Sequence, residues 1–169
     1  MMSLNSERFA VSDRTAALVL ASMLLLGSGR TARAQVEDPG SRNRLEGTWH
    51  LVVTVRDCQT GEEMRHFPAL AAFSKGGTLA VTTAGQSPSL STTGLGVWRH
   101  TEGQSYSAVF ETFVFSPAGV WIQKHRITRV IDIVDDGDTF MDTVALEVFD
   151  ANDNLIVRGC GTSVANRFK

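Results

Sequence analysis

The sequence predicts an all-β protein, an antiparallel up-and-down barrel of eight strands, and three observations lead there. Runs rich in β-branched and aromatic residues recur from about residue 45 onward, with little helical periodicity. Short turn sequences separate most of them, among them SKGG (74–77), TEGQ (101–104) and SPAG (116–119). A meander of this length tends to close, because closure removes its exposed edges. A two-sheet sandwich is the competing arrangement, but it usually needs longer crossovers than these turns supply.

The predicted strands run between these turns. They cover residues 47–56, 66–73, 78–83, 95–100, 105–115, 120–134, 139–149 and 154–166. DDGD (135–138) and DANDN (150–154) complete the set of turns, and both read as Asx-rich turns that need no metal. The polar segment 83–94 is longer, so it predicts either a flap over an opening or a disordered connector.

The first 34 residues predict a secretory signal peptide. Arg8 and Arg14 precede an apolar run at 16–26, which is too short for a membrane-spanning helix. Ala32 and Ala34 then form an A-x-A cleavage site, which would make Gln35 the first residue of the mature chain. We therefore expect one exported barrel domain over residues 35–169, secreted or periplasmic, with no membrane span.

The charge of the mature chain argues against a nucleic-acid partner. The whole chain carries 16 basic and 18 acidic residues, and the predicted leader holds four arginines against Glu7 and Asp13. The mature chain would thus have a net charge of −4, whereas nucleic-acid binding depends on clustered Lys and Arg. Nothing in the sequence indicates an oligomeric state.

The two cysteines predict how the barrel closes. Two cysteines in an exported protein favour a disulfide over a metal site or free thiols, so we expect Cys58 and Cys160 to be bonded across the first and last strands. Antiparallel partners have residue numbers with a constant sum. This pair therefore sets Trp49 opposite the chain end, close to Arg167.

GTWHLV at the start of the barrel and ANRF at its end resemble the lipocalin and calycin superfamily. In those barrels a Trp in a G-x-W element closes the base, and an Arg near the end of the last strand packs over it. Gly47, Trp49 and Arg167 match these positions. The resemblance implies a calycin-like barrel that binds a small apolar or amphiphilic molecule.

Alternation along the longest strand predicts which side chains face the interior. Its odd-numbered face has fewer charges, and it would bring Gln123, His125 and Arg129 inward. On the preceding strand either the odd or the even set faces in, and the odd set would bring Glu111 near His125 or Arg129. These groups are either a satisfied polar cluster of the core or a pocket, in which Arg129 and His125 bind the polar end of a guest, anionic guests above all. The candidate ligand-binding residues are Trp98, Tyr106, Glu111, Phe113, Trp121, His125 and Arg129.

No catalytic motif is present, and the four histidines lack metal-ligand spacing, so no catalytic residue, metal site or cofactor is predicted. The sequence thus favours binding of a small, partly apolar ligand inside the barrel over catalysis. Two alternatives stay open. One is an isomerase or cyclase for a lipid-like substrate, with Glu111 and His125 as acid and base. The other is a filled barrel that acts as a structural or inhibitory module.

Overall fold

The computed structural model describes residues 44–134 and 137–169, which form one closed barrel of eight antiparallel strands. The strands are β1 (Gly47–Arg56), β2 (Glu63–Ser74), β3 (Thr78–Thr83), β4 (Gly94–Glu102), β5 (Ser105–Phe115), β6 (Trp121–Ile133), β7 (Thr139–Asp150) and β8 (Leu155–Arg167). Each strand pairs with its neighbours in sequence, and β8 pairs with β1. The predicted fold class is therefore confirmed. The predicted leader lies outside the described residues.

The strand bounds agree closely with the prediction, and the largest difference is at the start of β2. This strand begins at Glu63 rather than at residue 66, because the turn before it is tight. The Asp57 carboxylate accepts backbone N–H bonds from Gln59 (2.8 Å) and Thr60 (2.9 Å), and Gly61 has a φ of 75°. The two strands of this hairpin consequently pair up to Glu63, although the residues that begin β2 are polar and exposed.

The barrel is closed by the β1–β8 ladder, which differs from the predicted register by two residues. Trp49 lies directly opposite Arg167, and Arg56 lies opposite Cys160. Cys58 follows the end of β1 and reaches Cys160 from the turn, with 5.2 Å between their Cα atoms. The predicted disulfide is confirmed. The register inferred from this disulfide was wrong by two residues, because Cys58 follows the end of β1 and is not part of the ladder.

One half of the barrel is filled by an aromatic core, which we call the closed end. Trp49 and Phe140 are fully buried, with 4.8 Å between ring centroids, and Phe73 packs edge-on against Phe140 at 6.2 Å. The Trp49 indole N–H donates to the Leu45 carbonyl (2.9 Å). The Arg167 guanidinium lies 4.3 Å from the Trp49 ring. The closed end is therefore sealed by packed rings beneath a cation.

Candidate functional site

The other half of the barrel, the open end, contains a cavity of about 200 Å³. Inward-facing apolar side chains of six strands form most of its wall. They are Val53, Phe67, Val81, Phe110, Ile127, Val144 and Leu146. Arg65, at the start of β2, lies at the edge of this cavity, and its guanidinium rests 5.3 Å from the centre of the Phe67 ring. An apolar chamber of this kind suits a small apolar guest.

Two glycines let the aromatic wall pack tightly around the cavity. A Cβ at Gly94 would lie 2.6 Å from the Phe110 ring, and one at Gly85 would lie 2.8 Å from the Phe67 ring. Real Cβ atoms do not approach ring carbons this closely. A larger residue at either position would therefore displace a ring of the cavity wall.

The segment between β3 and β4 contributes the rim of the cavity. It supplies Gly85, Gln86, Ser91 and Thr92 to the lining. The Thr92 amide donates to the Phe113 carbonyl (3.0 Å), and the Thr112 hydroxyl donates to the Thr92 carbonyl (2.7 Å). Backbone and side-chain bonds to β5 thus hold this segment at the opening, so it is an ordered rim rather than a disordered connector.

A buried polar cluster separates the cavity from the aromatic core. Arg129 on β6, Asp142 on β7 and Ser163 on β8 are all at most 5% exposed. The Arg129 Nε lies 2.9 Å from Asp142 Oδ2, while Arg129 Nη2 donates to the Ser163 hydroxyl (2.9 Å). That hydroxyl donates in turn to Asp142 Oδ1 (2.6 Å). The three side chains therefore form a closed triangle across three adjacent strands.

Three buried polar atoms of this cluster have no hydrogen-bond partner among the described residues. They are Nε and Nη1 of Arg129 and Oδ2 of Asp142, so the 2.9 Å contact between Nε and Oδ2 is an ion pair without hydrogen-bond geometry. An unpaired buried N–H is costly and rare in native proteins. Arg129 lines the cavity, whereas Asp142 and Ser163 do not, so Arg129 is the member of the cluster that a guest would meet.

Burial acts on both charges of this pair. It lowers the pKa of Arg129 and raises the pKa of Asp142, in each case against the attraction of the opposite charge. The guanidinium nevertheless keeps its proton, because its ordinary pKa is far above neutral. While the Asp142 carboxylate is ionised, the pair therefore carries no net charge.

His125 lies on the inward face of β6, two inward positions from Arg129 and nearer the rim, and it also lines the cavity. Its Nε2 is 3.2 Å from the Gln123 amide oxygen. Burial lowers the pKa of His125, so the ring is neutral at pH 7. It offers the cavity wall a polar edge without a charge.

The structure brings together only two of the seven predicted ligand-binding residues, His125 and Arg129, in the cavity lining. Trp98 and Tyr106 are buried in the core, 5.9 Å apart between ring centroids. They belong to the packing of the closed end and do not line the cavity. The aromatic side chains of the strands thus divide between core and wall.

The other three predicted residues lie away from the cavity. The sequence left open which face of β5 points inward; the even-numbered set does, so Glu111 and Phe113, which were named as ligand-binding candidates, do not face the cavity. Glu111 instead accepts a bond from Arg126 on the outer face (2.8 Å), and Phe113 packs edge-on against Trp121, with both rings more than two fifths exposed. The acid–base pair of Glu111 and His125 is therefore not assembled.

Asp142 and Ser163 were not among the predicted site residues, although the sequence contains a signal for Asp142. The inward face of β7 is Phe140, Asp142, Val144, Leu146 and Val148, a single carboxylate on an apolar face. The inward face of the adjacent β6 carries a single arginine. Two isolated opposite charges on the inner faces of neighbouring strands indicate a buried ion pair.

The described residues contain neither a cluster of metal-binding side chains nor a helix that could cross a membrane. No group of three or more His, Cys, Asp or Glu side chains there could hold a metal ion. Within the same ranges, 44–134 and 137–169, no helix has the length and apolar character needed to cross a membrane.

Comparison with known proteins adds no family assignment. No protein-family model matches the chain, and no curated protein matches its sequence significantly. The eight-stranded antiparallel barrel is compatible with a calycin-like fold. What can be inferred about function therefore comes from the barrel's own geometry.

Proposed function

We propose that this protein is an extracytoplasmic binding protein, which holds one small, largely apolar molecule in the open end of its barrel. The observation that carries the proposal is the cavity of about 200 Å³, walled by apolar side chains and bordered by the buried side chain of Arg129. Apolar pockets with a few placed polar groups are typical of small-molecule sites.

The Cys58–Cys160 disulfide supports an extracytoplasmic location, because such bonds persist where the surroundings are oxidising. We propose that the first 34 residues are removed on export and that residues 35–169 form one domain. Mass spectrometry of the protein from its own host should give the mass of residues 35–169. A mass that includes Met1 would contradict export by a cleaved leader.

The binding proposal is tested by filling the cavity. In Val144→Trp the indole would occupy the cavity, because Val144 on β7 faces it and is only partly buried. Ala145→Trp is the matched control, since Ala145 is the next residue and is exposed on the outer face.

The readout is the fluorescence of N-phenyl-1-naphthylamine, a neutral apolar dye. We expect wild type and Ala145→Trp to bind the dye with similar affinity, and Val144→Trp to lose at least tenfold in affinity. Equal binding to all three proteins would place the dye outside the barrel, and no binding to wild type would favour a filled barrel. Either result would contradict the proposal.

A further inference from the structure

The guanidinium of Arg129 is an unusual polar group for a cavity wall, because its charge is already neutralised by Asp142. Arg129 is 2% exposed and its Nε contacts a carboxylate that is also buried, Asp142, at 2.9 Å. Ser163 bonds to both partners. Arg129 therefore borders the cavity as a hydrogen-bond donor, but it offers no uncompensated positive charge.

This arrangement changes what an arginine in a pocket selects. A carboxylate that entered beside the cluster would be a second negative charge balanced by one positive charge. Burying such an unpaired charge is far more costly than burying a neutral polar group. A neutral carbonyl or ether oxygen has no such cost, and it can accept from an arginine side chain.

We infer that the guest of this barrel carries a neutral hydrogen-bond acceptor, such as a ketone or ester carbonyl, at its buried end, where it accepts from the guanidinium of Arg129. The inference rests on the proposed function and specifies its ligand class. It replaces the expectation from the sequence alone that this arginine favours anionic guests, because that expectation did not include Asp142.

The surroundings of the cluster agree with a neutral guest. The wall above Arg129 is apolar, with Ile127 and Val144 among its nearest members in the sheet. His125 is the next titratable group on the same face of β6, and it is neutral at pH 7 because burial lowers its pKa. The cation Arg65 is at the edge of the cavity, where the chain is exposed to solvent. Apart from Arg65 and Arg129, no described arginine or lysine lines the cavity, so none is left to balance a carboxylate at its buried end.

The test compares three guests of similar length at neutral pH: 2-nonanone, nonanoate and decane. Each is used to displace N-phenyl-1-naphthylamine from the full barrel. For wild type we expect the ketone to bind at least tenfold more tightly than either the carboxylate or the alkane. Two results would overturn the inference and leave the proposed function standing. One is comparable binding of the ketone and the alkane, and the other is tightest binding of nonanoate. No displacement by any of the three would overturn both.

Asp142→Asn provides the sharpest variant, because it removes the compensating charge with little change of shape. Nonanoate should become the preferred guest and should raise the melting temperature of this variant more than that of wild type. Asp132→Asn is the matched control, since it removes one carboxylate from the outer face, where Asp132 accepts a bond from Ser105. It should keep the ketone preference. An Asp142→Asn protein that still prefers the ketone would overturn the inference.

The double variant Arg129→Leu/Asp142→Leu covers the case in which the single variant folds poorly. It removes both charges together, so no unpaired charge is left in the interior. Decane should still bind, while the ketone should lose its advantage of tenfold or more. A ketone preference that survives in this variant would show that Arg129 is not the donor.

Discussion

At the residue scale, the base of the barrel depends on the contact between Arg167 and Trp49. The guanidinium lies over the indole and donates to the carbonyls of Glu46 (2.7 Å) and Gly137 (2.9 Å). Gly47 allows this approach, because it has a φ of 122° and a Cβ there would lie 3.0 Å from Arg167 Nη1. The G-x-W element and the terminal arginine are thus one structural unit.

Replacing Arg167 tests that unit. Arg167→Ala should lower the free energy of unfolding by about 1 to 2 kcal/mol through loss of the stacking and of the hydrogen bonds. Arg167→Lys should recover part of this, because lysine keeps the charge but not the planar fork. Urea denaturation measures both. An Ala variant as stable as wild type would mean that the contact does not stabilise the barrel.

The buried pair of Arg129 and Asp142 is the second residue-scale determinant. Arg129→Leu alone should cost about 3 to 5 kcal/mol, because it leaves the Asp142 carboxylate buried without its partner. Arg129→Leu/Asp142→Leu should cost less than that single change. A denaturation series on the two single variants and the double variant gives the coupling between them. Additive costs would show that the two side chains do not act as a pair.

At the element scale, the strands were predictable and their inner surface was less so. β1, β3 and β5 have the predicted bounds, because β-branched runs ended by Gly- and Asp-containing turns determine hairpins locally. Alternation also predicted correctly that Arg129, Ile131 and Ile133 on β6 face inward.

Alternation left two alternatives open on β5, since both faces of this strand carry aromatic side chains. The choice is made by the partner strand: Glu111 lies opposite Arg126 and forms an ion pair with it outside the barrel. Asp142 was missed for a similar reason, because its partner is on another strand. Sites that depend on contacts between strands need the register, and local pattern does not supply it.

The disulfide acts at the ends of two elements, β1 and β8. Its loop spans 102 residues, for which the chain-entropy model gives about 4.7 kcal/mol. The β1–β8 ladder remains when the bond is opened, so the fold should persist. Reduction, or Cys58→Ser/Cys160→Ser, should lower the melting temperature by roughly 10 °C with an unchanged far-ultraviolet dichroism spectrum. Loss of the β spectrum on reduction would show that the ladder cannot close the barrel alone.

At the scale of the whole molecule, the barrel has two halves with different roles. The closed end holds the large aromatic side chains, and the open end holds the cavity, with the polar cluster of Arg129, Asp142 and Ser163 between them. An eight-stranded barrel can be filled by side chains or can hold one small ligand. Here a filled interior and an empty one occur at opposite ends of the same barrel. Composition and strand count could therefore predict the barrel but not the location of its cavity.

The central claim is that the open end holds a small molecule, and native mass spectrometry of the protein purified from its own host tests it most directly. Wild type should show the mass of the mature chain together with a bound form heavier by one small, neutral molecule. Val144→Trp from the same host should show the bare chain alone. Bare chain in both proteins, or the same added mass in both, would contradict the claim.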